Sequence, residues 1–214
     1  MSKKTPSIFI PIRSLGENHL DRITQHLLSL ESHDRYLRFG FAANDDQIKR
    51  YAQSLNFSRD DIFGIYNRRL ELIAMAHLAF STDESLSICA EFGVSVSAQA
   101  RGRGYGSRLF DRAAMHARNE GVTRLFIHAL SENTAMLKIA RSAGAMVERT
   151  GSDSEAHLLL SPATADTRLN ELFQEQLAQS NYRVKVQIIK FWDLLSVLQS
   201  LRKEVIEAQD RCAK

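Results

Sequence analysis

An extended apolar segment of the sequence runs directly into a glycine-rich turn and then into a helical pattern. The turn reads Arg-Gly-Arg-Gly-Tyr-Gly-Ser from Arg101 to Ser107, and the helical pattern begins at once with Leu109 and Phe110. Glycines allow a backbone to approach a ligand closely, and the first N–H groups of a helix have no partner within it. Two arginines flank the turn, and guanidinium groups bind phosphates well. The segment therefore predicts a site for a ligand that carries phosphate groups.

The number of residues between the glycines narrows the class of phosphate ligand. A dinucleotide-binding fingerprint reads G-x-G-x-x-G, whereas this turn reads G-x-G-x-G and is one residue shorter. The phosphate loop G-x-x-x-x-G-K-[ST] does not occur in the sequence. The string R-x-x-G-x-G, with Arg101, Gly104 and Gly106 in its fixed positions, resembles the acyl-CoA pyrophosphate loop of the GCN5-related N-acetyltransferase (GNAT) superfamily. The alternative is a glycine-rich turn between a strand and a helix whose arginines are solvated.

The strand predicted before this turn, from Ser85 to Ser97, has one apolar face and one small, polar face. Glu91 is the only carboxylate on the polar face. Many members of the GNAT superfamily use a strand glutamate to deprotonate the acceptor amine, so the resemblance implies that Glu91 is the catalytic base. The alternative is a charge that faces solvent. The backbone from Val94 to Val96 would pair with the pantetheine arm, and an N–H near Val94 would stabilise the oxyanion.

The acyl donor that the resemblance implies is acetyl-CoA, and no metal is expected because the histidines lack ligand spacing. The turn should hold the pyrophosphate, with Arg101 and Arg103 adding charge, and Asn133 should reach the pantetheine amides. Many superfamily members carry a tyrosine acid at N-x₆-Y-x₃-G, but Ala140 occupies that position here. Water or another tyrosine would then protonate the thiolate leaving group. The residues expected to bind the cofactor are Val94, Ser95, Val96, Arg101, Gly102, Arg103, Gly104, Tyr105, Gly106, Ser107 and Asn133.

The predicted elements follow the order β-α-α-β-β-β-α-β-α-β-β. Several strands follow one another without a helix between them, which favours an α+β (mixed α/β) fold with a mixed, mostly antiparallel sheet over a doubly wound sheet. This order is also that of the GNAT acyl-CoA N-acyltransferase fold, and the resemblance covers about Ile8 to Leu160. The predicted strands are Ser7–Ile12, Ile62–Tyr66, Leu70–Phe80, Ser85–Ser97, Val122–Leu130, Ala145–Glu148 and Ala156–Leu160. The predicted helices are Leu15–Leu30, Asp45–Leu55, Arg103–Glu120 and Asn133–Ala143.

Residues Ser32 to Phe41, between the first two predicted helices, form an aromatic and arginine-rich connector. In the GNAT pattern this region lies beside the acceptor site. Its string Arg-Tyr-Leu-Arg-Phe, from Arg35 to Phe39, also resembles a segment of the bacterial protein-lysine acetyltransferases of this superfamily. The alternative is that the aromatic side chains simply pack the helix against the sheet.

The character of the sequence changes after Pro162, which predicts an acetyltransferase domain over residues 1–161 and a C-terminal helical extension over residues 162–214. Asp166–Gln179 reads as one helix and a later segment as a second. The later segment carries an apolar stripe at the alternating steps of three and four residues that are typical of a helix–helix seam. We expect a homodimer through these helices, and the alternative is packing against their own domain. The stripe consists of Phe191, Leu194, Leu198, Leu201 and Val205.

The composition is that of a soluble globular chain, with 44% hydrophobic and 25% charged residues. The net charge of +3 indicates neither a nucleic acid nor a membrane as partner. The two cysteines are far apart and the basic N-terminus has too short an apolar run for a signal or anchor, so we expect a cytoplasmic protein. The predicted function is transfer of acetyl from acetyl-CoA to a primary amine, on a protein lysine or a small molecule. The alternative is a non-catalytic acyl-CoA-binding module.

Overall fold

The computed structural model describes residues 10–81 and 89–212, with side chains described for 10–81 and 89–190. The strands are β1 Arg13–Leu15, β2 Asp61–Tyr66, β3 Leu72–Phe80, β4 Cys89–Val96, β5 Arg124–Leu130, β6 Met146–Thr150 and β7 Asp153–Leu159. The helices are α1 Leu20–Leu28, α2 Ser32–Phe39, α3 Asp45–Gln53, α4 Tyr105–Asn119, α5 Thr134–Ser142 and α6 Ala165–Cys212. None of the helices among the described residues combines the length and apolar character needed to cross a membrane.

The strands form one sheet in the order β1-β2-β3-β4-β5-β7-β6. Every neighbouring pair is antiparallel except β4 and β5, which are parallel. This arrangement confirms the predicted α+β fold with a mixed, mostly antiparallel sheet. Helices cover both faces of the sheet, so the apolar side chains of the predicted strands are buried between sheet and helices.

The parallel pair β4–β5 separates partway along its length. The pairing runs from Cys89 with Arg124 to Glu91 with Phe126, whereas β4 continues to Val96 and β5 to Leu130. The two strands therefore enclose a gap at their carboxyl ends. This gap is the feature of the fold that positions the candidate site.

Two apolar cores lie on opposite faces of the sheet. On one face, Phe92 and Phe110 meet edge to face with ring centroids 5.0 Å apart, and α4 and α5 cover the strands. On the other face, α1 and α3 pack through Ile23, Leu27 and Ile48. Asn44 caps α3 by accepting a hydrogen bond from the Gln47 N–H at 2.9 Å, as its position in the sequence predicts.

Two local predictions in the N-terminal half are wrong. The strand predicted at Ser7–Ile12 is not formed at residues 10–12, residues 7–9 lie outside the described part, and the first strand is Arg13–Leu15. Pro11 explains the shift, because proline has no N–H for a strand ladder. The connector predicted at Ser32–Phe41 is largely the helix α2, which ends at Gly40 in the left-handed conformation with φ 78°.

The side chain of Arg35 stabilises α2 in a way that no local pattern reveals. Its guanidinium donates hydrogen bonds to the carbonyl oxygens of Leu28 and Leu30, at 2.6 and 3.0 Å, and pairs with Asp45 at 2.6 Å. Arg35 therefore satisfies carbonyls at the C-terminal end of α1 and connects α1, α2 and α3.

The predicted strand Ser85–Ser97 is present from Cys89 to Val96, and its residues 85–88 lie outside the described part.

The predicted pair of C-terminal helices is instead the single helix α6 of 48 residues. No glycine or proline occurs after Pro162, so nothing in the sequence interrupts the helix. Its first half contacts α4 and β1: Arg112 Nη1 donates to Glu171 Oε1 at 2.6 Å and Arg13 Nη2 to Gln179 Oε1 at 3.0 Å. The predicted stripe Phe191–Val205 lies in the helical backbone but outside the residues whose side chains are described.

Candidate active site

Two cavities meet beside the gap between β4 and β5. The first has a volume of about 620 Å³ and lies between α2, the end of β4, the glycine-rich turn and α5. The second, of about 570 Å³, lies over the other side of the gap. We call them the cofactor cavity and the acceptor cavity. Both are lined by Leu37, Arg38, Val94, Asn133 and Met136.

The cofactor cavity contains most of the residues predicted to bind the cofactor. Its lining includes Val94, Ser95, Val96, Arg101, Gly102, Gly104, Tyr105, Gly106, Ser107 and Asn133. Arg103 is the exception, because it lines a separate cavity together with Tyr66 and Arg69. The two arginines of the turn thus lie on different sides of it.

The conformation of the turn explains its glycines. Gly102 and Gly104 both have φ 73°, the left-handed conformation that side chains disfavour. Gly104 immediately precedes α4 and has no side chain to cap it, so the N–H groups of the first turn are available to a ligand. A Cβ atom on Gly106 would lie 3.1 Å from Ile139 Cδ1, so this glycine allows α4 and α5 to pack closely.

Arg101 forms an ion pair with Asp34 of α2, and both side chains line the cofactor cavity. The guanidinium is therefore held at the cavity and is exposed enough to reach a ligand. An incoming pyrophosphate would compete with Asp34 for the same N–H groups.

Alternate residues of β4 direct their backbone N–H and C=O groups toward the gap. Ser97 N–H donates to the Ile73 carbonyl at 2.9 Å, and the Cys89 carbonyl accepts from Ser81 N–H at 2.9 Å. The backbone N–H and C=O groups of the odd-numbered residues of β4 therefore point toward β3. Because a strand repeats every two residues, the N–H and C=O groups of Val94 and Val96 face the opposite edge, where pairing with β5 has ended. The gap therefore has unpaired backbone groups at the predicted positions.

The side chain of Ser95 has a different partner from its neighbours. Its hydroxyl donates to Nε2 of the buried His26 at 2.9 Å, and His26 Nδ1–H donates to the Leu72 carbonyl at 3.0 Å. Burial lowers the pKa of His26 to about 4, so the imidazole is neutral at pH 7. Ser95 thus fixes β4 against α1, and its backbone groups face Met75 of β3 rather than the gap.

Glu91 lies where β4 and β5 separate, and its exposed side chain lines the acceptor cavity. It shares the face of β4 with Gly93 and Ser95. The same cavity is lined by the carboxylates of Asp153 and Glu155. Three acidic residues against one arginine in the described wall would favour a cationic ligand over an anionic one in most of this cavity.

A chain of hydrogen bonds beside Glu91 joins Arg38, which belongs to the predicted connector, to three side chains that the sequence analysis did not identify. Arg38 Nη2 donates to the Tyr51 hydroxyl at 2.9 Å, and that hydroxyl lies 2.9 Å from His77 Nδ1. His77 Nε2 lies 3.2 Å from Asp60 Oδ2. Burial and the Arg38 charge lower the pKa of His77. The sequence signals were a histidine within the apolar strand Leu72–Phe80 and a glycine, Gly93, inside a strand.

The residue at the usual tyrosine position has no access to the site. Ala140 lies on the inner side of α5 and is completely buried in the core. Asn133 caps α5, since its Oδ1 accepts from Met136 N–H at 3.1 Å, and its Nδ2 lies 3.5 Å from the Leu37 carbonyl. Its side chain lines both cavities from that position. The tyrosines that line the two cavities are Tyr51 and Tyr105.

Comparison with solved structures shows the same fold at low sequence identity. The GNAT domain of S. lividans PAT superposes with a TM-score of 0.59 and 19% identity, over 70% of this chain and 89% of that one. Spermidine N-acetyltransferase from Vibrio cholerae, in complex with CoA and spermine, gives 0.54 and 17% over 69% and 94%. RimL, a ribosomal L7/L12 alpha-N-protein acetyltransferase in complex with coenzyme A, gives 0.52 and 16% over 70% and 93%.

No curated protein sequence is significantly similar to the chain. The family model for the acetyltransferase (GNAT) family matches residues 23–145, more than half of the 214 residues. The matched segment contains the gap, the glycine-rich turn and both cavities' shared residues. The chain therefore belongs to the GNAT family of acetyltransferases and is an acyltransferase.

Proposed function

We propose that the protein transfers an acetyl group from acetyl-CoA to a primary amine by direct attack in a ternary complex. The observation that carries this proposal is the position of Glu91. Its carboxylate lines the acceptor cavity at the point where β4 and β5 separate, and Val94, three residues further on, lines both cavities. This arrangement supports a site in which Glu91 would act as the base and Val94 N–H as the oxyanion donor, between the two substrate cavities.

The glycine-rich turn would hold the pyrophosphate of acetyl-CoA. The free N–H groups at the start of α4 and the Arg101 guanidinium supply positive charge on one side of the cofactor cavity. Val94 and Val96 would pair with the pantetheine amides through the backbone groups that face the gap. Asn133 would contribute from the other wall, and Arg103 would act only if its side chain turned away from its present cavity.

Glu91 would take a proton from the acceptor amine, directly or through water. A lysine-like amine has a pKa of about 10.4 and is almost fully protonated at pH 7, so a base is needed before attack. The amine nitrogen would then bond to the thioester carbonyl carbon while the Val94 N–H stabilises the oxyanion. When the tetrahedral intermediate collapses, the C–S bond breaks, the nitrogen loses its second proton to water, and the thiolate takes a proton from water or a nearby tyrosine.

The acidic wall of the acceptor cavity supports an amine acceptor but does not select among amines. Glu91, Asp153 and Glu155 would favour a cation on a protein lysine and on a small molecule alike. A test is to incubate the purified full chain with acetyl-CoA and a panel of small amines and lysine-containing proteins, and to measure release of the CoA thiol. Amine-dependent thiol release is expected. Binding of acetyl-CoA without thiol release for any acceptor would instead favour a non-catalytic acyl-CoA-binding module.

We also propose a homodimer formed through α6. The side of α6 opposite its contacts with α4 and β1 carries apolar side chains that are between 37% and 65% exposed in this part of the molecule. Monomers rarely leave an apolar face of this length in water, and spacings of three, four and seven residues suit a helix–helix seam. The exposed side chains are Leu169, Leu172, Phe173, Leu177, Val184 and Ile188. The same face is the feature that would connect a binding module to a partner.

We infer a cytoplasmic location from the cysteines. Cys89 and Cys212 are separated by most of the sequence and suggest no disulfide framework, which suits a reducing compartment.

A further inference from the structure

Arg38 occupies the junction of the two cavities. It lies on α2 and lines both the cofactor cavity and the acceptor cavity. Its guanidinium rests directly on Gly93 of β4: a Cβ atom at Gly93 would lie 2.6 Å from Arg38 Nη2 and 2.7 Å from Cζ. Any larger residue at Gly93 would therefore displace the guanidinium. The absence of a side chain at Gly93 leaves the space that the Arg38 guanidinium occupies.

The hydrogen-bond chain behind Arg38 fixes the orientation of the guanidinium. Arginine can only donate, so the Tyr51 oxygen accepts from Arg38 and the Tyr51 proton points to His77 Nδ1. The His77 proton is then on Nε2, facing Asp60, whose carboxylate also accepts from Nε and Nη2 of Arg59 at 2.6 and 2.8 Å and from Phe80 N–H at 3.4 Å. Each donor in the chain has one acceptor, so the chain has a single direction.

The charge of Arg38 differs from that of other arginines at the site because it has no carboxylate beside it. Arg35 pairs with Asp45, and Arg101 pairs with Asp34. Among the described residues, no carboxylate oxygen lies within 4.0 Å of the Arg38 guanidinium, and Tyr51 is the one acceptor of its hydrogen bonds. A half-buried guanidinium with free donors that face a cavity is a site for an anion.

The surroundings of Arg38 select the kind of anion. Arg38 is the one arginine or lysine among the described residues that line the acceptor cavity, whereas three acidic residues, Glu91, Asp153 and Glu155, line it as well. Arg38 alone of these four also lines the cofactor cavity. A carboxylate fits two N–H groups of the planar guanidinium at once, and the acidic residues would repel it from every other part of the wall.

We propose that Arg38 binds a carboxylate carried by one of the two substrates, beside the atoms that react. The carboxylate belongs either to an α-amino acid that accepts the acyl group or to a dicarboxylic acyl group on CoA. Both place a carboxylate a few bonds from the reacting carbon or nitrogen. Gly93 and Glu91 are two residues apart on one strand face, or roughly 6.7 Å, so one small molecule can reach Arg38 with its carboxylate and Glu91 with its amine. This inference rests on the acyl-transfer function proposed above.

The experiment compares substrates that differ only in a carboxylate. One arm pairs L-tyrosine with tyramine and L-lysine with cadaverine as acceptors, with acetyl-CoA as donor. The other arm pairs succinyl-CoA with butyryl-CoA as donors. Binding to the full chain is measured by calorimetry and turnover by thiol release. Wild type should favour the carboxylate member in one arm by about 10- to 100-fold, the range for charge-assisted bidentate hydrogen bonds.

The variants test whether Arg38 causes that preference. Arg38→Gln should bring the preference close to one, and Arg38→Lys should retain part of it, because lysine keeps the charge without the planar fork. Tyr51→Phe should reduce it by releasing the guanidinium. The ratio within each pair cancels any loss of folding or general activity that a variant causes.

The proposal is overturned if wild type favours the carboxylate member in neither arm, or if the preference survives in Arg38→Gln. That failure is distinct from failure of the acyl-transfer function. A protein that binds and uses acetyl-CoA without any carboxylate preference refutes the role of Arg38 alone. A protein that neither binds acetyl-CoA nor releases thiol refutes the function itself.

Discussion

Replacing Glu171 with glutamine should detach the first half of α6 from the acetyltransferase domain. The carboxylate of Glu171 accepts hydrogen bonds from Arg112 Nη1 at 2.6 Å and Asn119 Nδ2 at 2.5 Å, and it contacts His116 Nδ1. Burial would raise the pKa of Glu171, but hydrogen bonds from His116, Asn119 and Arg112 lower it to about 2. Glutamine would remove the charge, and its NH2 group would face either the two cations at the Oε1 position or the Asn119 donor at the Oε2 position.

The expected magnitude follows from the burial of Arg112, which is only 3% exposed. Removing one partner of a buried ion pair costs about 3–5 kcal/mol, because the remaining charge has no counter-ion. Glu175 Oε2 remains 3.4 Å from Arg112 Nη2 and offsets part of this loss. We therefore expect Glu171→Gln to lower the free energy of unfolding, or of detaching α6, by about 2–4 kcal/mol.

The effect should depend on pH through His116. Burial disfavours its charged form, but hydrogen bonds to Asp61 and Glu171 raise the pKa of His116 to about 9. A raised histidine pKa contributes stability that is complete below its ordinary value of 6.5 and is lost as pH rises through about 9. The depressed pKa of Glu171 contributes above its ordinary 4.5 and is lost as pH falls through about 2. The variant should therefore differ most from wild type near pH 5–6.

The assay is urea denaturation at pH 6 and pH 9.5, together with hydrogen exchange over residues 165–185. Glu132→Gln, the same substitution at an exposed position outside α6, is the matched control and should behave as wild type. A loss below about 1 kcal/mol would contradict the reasoning, because that is the range of a surface pair. An equal loss of unfolding free energy at pH 6 and pH 9.5 would show that the charge of His116 does not contribute to the effect.

Two further predictions concern the turn and the helix. Gly104→Asp should weaken CoA binding in calorimetry by about tenfold or more, because it adds strain at φ 73° and a negative charge beside the pyrophosphate. Gly151→Asp, at φ 64° in a different turn, controls for strain, and equal CoA affinity in a folded Gly104→Asp protein would count against the site. Phe173→Glu should convert the expected dimer to a monomer in sedimentation, whereas Gln53→Glu, which adds the same charge at an exposed position of α3, should not. A wild-type protein that is monomeric at concentrations on the order of tens of micromolar would contradict the proposed homodimer.

The parts of the fold that the sequence predicts are those with local causes. The strand from Cys89 to Val96 alternates, and Asn44 marks the start of α3, whereas α4 begins at Tyr105, two residues after the predicted start. Helix α2 was missed because tertiary contacts of Arg35 hold its eight residues, and a connector with the same composition would show the same pattern. The single helix α6 was divided in two although no residue breaks it.

The site divides in the same way. Glu91 and the glycine-rich turn are close in sequence, so their spacing is informative. Arg38, Tyr51 and His77 come from three different elements, and no spacing links them before the chain folds. Arg103 was predicted on the cofactor side with Arg101, but Gly102 at φ 73° between them places the two arginines in different cavities.

The most direct measurement of the proposed function is the pH dependence of turnover in Glu91→Gln. We expect turnover to fall by about 10²–10⁴-fold at pH 7, with little change in acetyl-CoA affinity, because a general base is lost. The deficit should shrink as pH approaches the pKa of the acceptor amine, about 10.4 for a lysine-like amine. Glu155→Gln, a carboxylate in the same cavity, is the control and should lose far less. Turnover in Glu91→Gln equal to wild type at pH 7 would contradict the account.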